Sequence, residues 1–484
     1  MCREWVVARL RCILSSDVGF RSERGPILIA LMVATGIVAI DATILATAVP
    51  TIVKELGGFT LFPWLFSIYL LAQAVSVPIY SKLSDILGRK PIILIGIGLF
   101  LLGSVLCGFA WSLPALIVFR AVQGLGAGAV QPMAITIAGD IYTLAERAKT
   151  QGYLASVWGI SSVVGPTLGG VFSQFVSWRW IFFVNIPLCV IAGFLIIKNF
   201  HEVIEPRKHK VDYLGASLLT GALALLVLAI LQGGQAWAWN SPQSIGAFVI
   251  GGALLIGFIL VERKATDPVL PLWVFSRRLL LTTALISLGV GAILIGLTSY
   301  VPTYLEGSLD TPPIVAGLAL AALTIGWPIA ASISGRFYLR IGFRNTILIG
   351  MTLVIAGALV LVGISHTPNL VIVAISCFIT GLGMGLVATP SLIASQSSVQ
   401  WNERGVVTGA NLFSRSIGSA IGVAIFGAVA NSVFASMGGN EQDAVSVVSA
   451  SSTVFFAVGI AAVATVIAAF SMPKTPVLAP AAAS

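Results

Sequence analysis

Long apolar runs broken by short polar clusters set the pattern of this 484-residue chain. A helix needs about 20 apolar residues to cross the hydrocarbon core of a bilayer. Fourteen runs approach that length, near 27–49, 62–81, 91–110, 114–138, 150–174, 180–197, 213–231, 244–261, 280–304, 313–334, 346–364, 369–393, 407–430 and 452–471. The pattern predicts an all-α polytopic membrane protein whose partner is the lipid bilayer.

Composition strengthens that reading. The chain is 57% hydrophobic and 9% charged, whereas a soluble domain carries roughly a quarter charged residues. Its formal net charge of +9 invites a nucleic-acid partner. The basic residues sit instead in clusters between apolar runs, the pattern of cytoplasmic loops, so no nucleic acid is expected. With the N-terminus inside, only Lys54 and Arg179 fall in outer loops and only Arg120 and Arg415 fall within spans; the other Lys and Arg lie on the inner side. A miscounted span would invert the alternation downstream, so both ends are expected in the cytoplasm. "ATA" at Ala46–Ala48 resembles a signal-peptidase site, but the run before it is too long for a leader and contains an acid. The five cysteines show no metal or redox spacing and read as small core hydrophobes.

The chain repeats itself. "AVPTIVKE" (Ala48–Glu55) echoes "YVPTYLEG" (Tyr300–Gly307), and "LGRKPIILIG" (Leu87–Gly96) echoes "IGFRNTILIG" (Ile341–Gly350). "QGLGAGAVQP" (Gln123–Pro132) echoes "TGLGMGLVATP" (Thr380–Pro390), and "AERAKTQG" (Ala145–Gly152) echoes "NERGVVTG" (Asn402–Gly409). Two similar six-helix bundles in the same orientation follow. Parallel repeats of this kind build transporters with a site between the halves. The expected organisation is a basic tail (1–25), an N-terminal bundle (26–200), a linker with two extra spans (201–278), a C-terminal bundle (279–472) and a short cytoplasmic tail (473–484). The basic tail is partly amphipathic and either lies on the inner interface or is unstructured.

Four stretches carry chemistry. "SKLSDILGRKP" (Ser81–Pro91) joins spans 2 and 3; Gly88 permits a tight turn and Pro91 suits a first helical turn. In "FRAVQGLGAGAVQP" (Phe119–Pro132), Gly124 and Gly128 form a small surface for close helix contact. Arg120, Gln123, Ala127 and Gln131 share one face there, which must look into a cavity or another helix. "GYLASVWGISSVVGPTLGG" (Gly152–Gly170) places Pro166 inside a span, flanked by Gly165, Gly169 and Gly170, which bends the helix and lets it pack closely. "IDATILATAVP" puts Asp41 in an otherwise greasy run.

These stretches resemble the motifs of the major facilitator superfamily, and specifically its fourteen-span drug:proton antiporters. The resemblance covers the chain from about Pro26. It implies that Asp85, in a loop motif with Gly88, Arg89 and Lys90, locks the bundles together on the inner side, against the start of span 13 near Arg404–Thr408. It also implies an antiporter motif at Gly152, Gly165, Pro166, Gly169 and Gly170. Ser81 and Ile86 depart from the loop motif, Ser161 from the antiporter motif, and Ala46 and Thr47 from the first-span motif.

Asp41 and Arg120 are expected roughly 10–12 Å below the outer surface of one bundle, by a rise of about 1.5 Å per residue. Their second-half counterparts are Ile293 and Cys377. Burial raises the pKa of a carboxylate and a nearby arginine lowers it, so small movements can switch such a group. That suits a proton carrier; a static ion pair fixing helix packing is the alternative. Candidate substrate contacts are Tyr69 and Gln73 on one face of span 2, Gln123 and Gln131 of span 4, and Trp158, Tyr300, Trp327 and Phe413 on helices expected to line the cavity. Arg415 either snorkels to the inner face or joins Asn411 in the cavity. "GLGAGA" lies inside a span, so no phosphate-binding loop, cofactor or metal set is expected, and the chain is not an enzyme. The expected function is monomeric, proton-driven export of drug-like amphiphiles across a bacterial inner membrane by alternating access. Export of an endogenous metabolite or lipid and a non-transporting receptor or scaffold stay open.

Overall fold

A computed structural model of the chain describes residues 18–57, 61, 64–202, 212–233, 237–265, 268, 271–309, 311–365, 367–437 and 444–474. The amphipathic tail with Cys2 and Cys12, and nearly all of the 473–484 tail, lie outside the described residues. The N-terminal bundle comprises α1 (Gly25–Leu56), α2 (Trp64–Leu87), α3 (Arg89–Gly108), α4 (Leu113–Ile141), α5 (Leu144–Phe175) and α6 (Trp180–Asn199, interrupted by a turn at Val184). Two linker helices follow, α7 (Tyr213–Gln232) and α8 (Pro242–Glu262). The C-terminal bundle comprises α9 (Arg278–Leu309), α10 (Pro313–Ile341), α11 (Phe343–Gly363), α12 (Leu370–Ser397), α13 (Arg404–Ser436) and α14 (Ala444–Ser471). Among the described residues, thirteen helices are long and apolar enough to span a membrane, and a shorter apolar helix, Leu214–Ile230, stands at the seventh predicted span.

Helices follow from the solvent. Lipid offers no hydrogen bonds, so each backbone amide must be satisfied within its own segment. Helix starts are marked by polar caps: Ser112 on α4, Thr143 with Glu146 in a capping box on α5, Asp212 on α7 and Asn369 on α12. Gly88 and Gly342 both hold left-handed backbone, φ 94° and 83°. These glycines let α2 turn into α3, and α10 into α11, through a single residue.

The repeat extends to packing. In the N-terminal half α1 packs on α5 and α6, α2 on α4, and α3 on α4; in the C-terminal half α9 packs on α13 and α14, α10 on α12, and α11 on α12. The halves meet through α5 on α10 and α2 on α13, which the repeat makes equivalent. Each bundle has its own apolar core, around Ile37, Phe100 and Met133 in the first and Leu297, Met351 and Phe455 in the second. A further cluster joins Leu219 and Leu223 of α7 to Val75 and Val77 of α2 and to Val406, Ala410 and Phe413 of α13. The linker therefore lies along the seam between the halves. Large exposed apolar side chains such as Leu102, Phe194, Ile375 and Ile467 cover the outer faces, as lipid contact requires.

Candidate functional site

Two polar assemblies stand out in this apolar molecule. The first lies in the middle of the N-terminal bundle. Asp41 and Arg120 are each 1% exposed, and Nη1 of Arg120 lies 2.6 Å from Oδ2 of Asp41. Asp41 and Arg120, expected at a common depth, are thus in direct contact. Gln123 donates from Nε2 to Asp41 Oδ1 (2.7 Å) and to Ser104 Oγ (2.8 Å), and its Oε1 accepts from Arg120 (2.7 Å). Arg120 also donates to the Leu65 carbonyl and lies over the Tyr69 ring, 4.2 Å from its centroid. Asn185, one residue past the interruption in α6, places Nδ2 3.3 Å from Asp41 Oδ1. Side chains of α4 and α6 therefore meet the carboxylate of α1, and α2 and α3 join the network through Arg120, Gln123 and Asn185. Every other carboxylate in the described helices lies within four residues of a helix end.

Small residues make this convergence possible. Gly124 and Gly128 of α4 sit against the backbone of α2 near Tyr69 and Gln73, and Gly126 sits against Phe100 of α3. On the opposite side of α1, Gly165 and Gly169 of α5 meet Thr43 and Thr47 so closely that an added Cβ collides with either hydroxyl. Thr43 donates to the Ser161 carbonyl (2.9 Å) and Thr47 to that of Pro166 (3.3 Å). The contacts on either side of Pro166 thus dock α5 on the helix that carries Asp41. Gly170 faces open space, and Gly152 faces Ser332 of the other bundle rather than a helix of its own.

The second assembly closes the end of the molecule that carries the loop between α2 and α3, here termed the basic end. Asp85 accepts from the backbone N–H groups of Gly405 (2.9 Å) and Val406 (2.8 Å), at the N-terminus of α13. A carboxylate there meets unpaired amides and the positive end of the helix dipole. Arg89, fully buried, bridges Asp85 (2.8 Å) and Asp140 (3.0 Å) and lies 3.9 Å over the Trp401 ring. Arg404 completes the set on Asp140 at 2.9 Å. Glu202 caps the start of α3 by accepting from the Arg89 and Lys90 amides, both at 3.0 Å, and Lys90 Nζ reaches the Ile197 carbonyl. Along the α5–α10 seam, Gly152 meets Ser332, Gly335 meets Ala148, and Ser162 lies 3.2 Å from Thr324. The first two contacts belong to the half of each helix nearer the basic end, whereas Ser162 and Thr324 meet just past the middle of theirs.

The proposed substrate contacts divide. Tyr69 (2% exposed) and Gln123 (0%) are buried in the charged centre. Gln73 separates from Tyr69 and bonds Gln131 at 3.0 Å, both partly exposed. Phe413 is buried against the linker helix, and Asn411 is buried with Nδ2 3.5 Å from the Thr283 carbonyl. Tyr300 donates to the Phe426 carbonyl within its own bundle. Trp158 and Trp327 are partly buried against their bundle cores. Arg415 is partly buried, without an ion pair or side-chain hydrogen bond among the described residues. It lies about 16 Å along α13 from Arg404.

A Major Facilitator Superfamily domain matches residues 31–423. The chain belongs to that superfamily. It is 37% identical to multidrug resistance protein 3 of Bacillus subtilis (strain 168), over 82% of this chain and 77% of that protein. It is 34% identical to the multidrug transporter protein MdtP of the same organism, over 86% and 77%. Efflux pump dotC of Dothistroma septosporum (strain NZE10 / CBS 128990) is 31% identical, over 82% and 70%. The crystal structure of the human organic anion transporter MFSD10 (TETRAN) superposes with TM-score 0.64 at 15% identity, over 91% of this chain and 99% of that one, which shows the shared fold. The chain is thus a multi-pass membrane transporter with multidrug and efflux relatives.

Asn185, Ser104, Asp140 and Trp401 escaped the sequence reading. Asn185 carried a usable signal, since "FFVNIPLCV" sets a lone amide in an apolar run, the same oddity that drew attention to Asp41. Ser104 and Trp401 carried none, because serine is common in spans and tryptophan is common at interfaces.

Proposed function

We propose that this transporter exports drug-like amphiphilic molecules from the cytoplasm of a bacterial cell in exchange for protons. The observation that carries the reading is the Asp41–Arg120 pair, buried within the N-terminal bundle and hydrogen-bonded by Gln123 of α4 and Asn185 of α6. A buried ion pair seldom stabilises a fold better than apolar side chains of the same volume, so a role in coupling explains it better than a role in packing. With the basic end in the cytoplasm, the closed contacts of Asp85, Arg89 and Asp140 make this conformation outward-facing. Protonation of Asp41 from outside neutralises it, loosens its pairing with Arg120 and weakens the tie between α1 and α4. Because α1 is locked to α5, and α5 meets α10 across the seam, this change reaches the contact between the bundles. Inward-facing, Asp41 releases its proton as substrate binds. Each proton crossing supplies about 2.3 kcal/mol per 100 mV and about 1.36 kcal/mol per pH unit. Gln73, Gln131, Trp158, Trp327 and Arg415 are the side chains proposed to meet the substrate.

Dye efflux from loaded cells, with and without a protonophore, tests the reading. Efflux that ignores the protonophore removes the proton as fuel. Normal efflux by Asp41→Asn removes Asp41 as carrier. An exporter of an endogenous metabolite or lipid would keep protonophore sensitivity but move none of the dyes, and a scaffold would show neither.

A further inference from the structure

Once Asp41 takes a proton, its new O–H needs an acceptor, and the site is built of donors. Arg120 has no acceptor at all. Gln123 is fixed, because its Oε1 receives the guanidinium at 2.7 Å while its Nε2 serves Asp41 and Ser104; turning it over would set NH₂ against the guanidinium. Asn185 differs. It is fully buried, its Nδ2 makes only long contacts, 3.3 Å to Asp41 Oδ1 and 3.4 Å to Ser104 Oγ, and its Oδ1 has no hydrogen-bond partner among the described residues. A buried amide oxygen left unmatched is costly, so the present orientation is favoured by the negative charge of Asp41 and not by any bond to Oδ1, and neutralising that charge removes what favours it.

We propose that Asn185 is the positioning residue that follows the protonation state of Asp41, turning its amide over as the proton arrives. Resting on the proton-coupling reading, the inference is that Nδ2–H donates to the carboxylate, whereas Oδ1 accepts the O–H of the acid. No covalent bond of Asn185 is made or broken; the proton comes from water on the open side and leaves on the basic side. Ser104 accommodates both orientations. Its Oγ accepts from Nδ2 now, and its hydroxyl hydrogen is available to Oδ1 after the turn. The other titratable groups around Asp41 are Tyr69 from α2, Cys107 from α3, Arg120 from α4 and Cys189 from α6. Thiols are weak acceptors. The Tyr69 hydroxyl is buried without a hydrogen-bond partner among the described residues, so it is the competitor that the experiment must separate.

The test is difference infrared spectroscopy across a pH titration of the full chain in liposomes. The protonated-carboxyl band of Asp41 is identified by its absence in Asp41→Asn. In Asn185→Leu that band is expected to move to higher frequency, because its O–H has lost its acceptor. The titration midpoint is expected to stay within about half a pH unit, because both forms lose one hydrogen bond. A midpoint raised by about one unit or more with an unmoved band identifies a fixed donor and overturns the proposal. So does a band that moves in Tyr69→Phe but not in Asn185→Leu. If Asn185→Leu does not fold, the wild type with ¹⁵N-labelled asparagine side chains decides: the difference spectrum is expected to hold isotope-sensitive amide bands, and their absence overturns the turn of the amide. Should no carboxyl band depend on Asp41 at all, the proton-coupling reading itself fails, and that outcome is distinct from those above.

Discussion

The two halves share their helix pairings, yet they differ at their centres. In the N-terminal bundle Asp41 and Arg120 hold a hydrogen-bonded network with Gln123, Ser104 and Asn185. At the corresponding places of the C-terminal bundle Ile293 and Cys377, both fully buried, belong to a continuous apolar core. The same skeleton therefore stands with either filling, and the charged filling is not needed to build a six-helix bundle. The seam shows a milder asymmetry. Asp85 of α2 reaches the start of α13, while Leu339, its second-half counterpart, is exposed. What one half adds to the common architecture is a set of buried charges and the hydrogen bonds that hold them.

The comparison can be broken most severely at Arg120. Arg120→Leu leaves Asp41 unpaired in a dry centre, and a loss of about 3–5 kcal/mol is expected, measured as a fall in thermal midpoint and in folded yield. Adding Asp41→Leu, which makes the first half resemble the second, is expected to recover part of that stability without restoring protonophore-sensitive efflux. Full stability in the single variant would show that the pair is not held charged.

The seam comes next. Asp85→Asn removes the charge that faces the α13 N-terminus and Arg89, bonds worth about 1.5–3 kcal/mol to a charged group. Efflux is expected to fall about tenfold or more, with spin-label distances across the basic end showing a larger open population. Unchanged distances would mean that the remaining contacts, Arg404 with Asp140 and Arg89 with Trp401 among them, suffice to hold this end closed.

A smaller effect separates glycines that look alike in the sequence. Gly169→Ala drives a methyl group into Thr47 and the Ile44 carbonyl, and overpacking of this kind costs about 1–3 kcal/mol. Gly170→Ala, and Gly427→Ala in the second half, have open space around them and are expected to leave the thermal midpoint unchanged. Equal effects at all three positions would refute the close docking of α5 on α1.

The mildest test lies beyond the membrane at the far end of α1. Hydrogen bonds from Arg179 and then from Trp178 hold the Glu55 carboxyl below its usual range. A depressed carboxylate stabilises the fold above its unfolded pKa, and this contribution fades as pH falls through the folded value. Wild type and Glu55→Gln are therefore expected to differ slightly at neutral pH and to converge below about pH 4. Transport should change by less than about twofold, since exposed ion pairs contribute little.

Much of this was legible from residue order. The hydropathy runs gave the spans, the echoed segments gave the two bundles, and counting residues from the outer surface gave Asp41 and Arg120 a common depth. Depth is legible because a helix rises by a fixed amount per residue. The rotation of each helix about its axis is not legible in the same way. Tyr69 and Gln73 share a face at i, i+4, yet one lies under Arg120 and the other bonds Gln131. Phe413 was expected in the cavity and packs instead on α7, because the docking site of the linker leaves no trace in the hydropathy pattern.

Taken alone, the sequence determined that this chain is a helical membrane protein made of two related halves, with one acid and one arginine placed at equal depth. Lipid enforces helix and length so strictly that composition suffices for such conclusions. Only the tertiary structure decided that Asn185 and Ser104 join Asp41, that Asp140 and Trp401 join Arg89, and that Gly152 belongs to the seam. Those partners come from different helices, and which side chains meet depends on how closely the glycine-lined faces allow the helices to approach and at what rotation they settle.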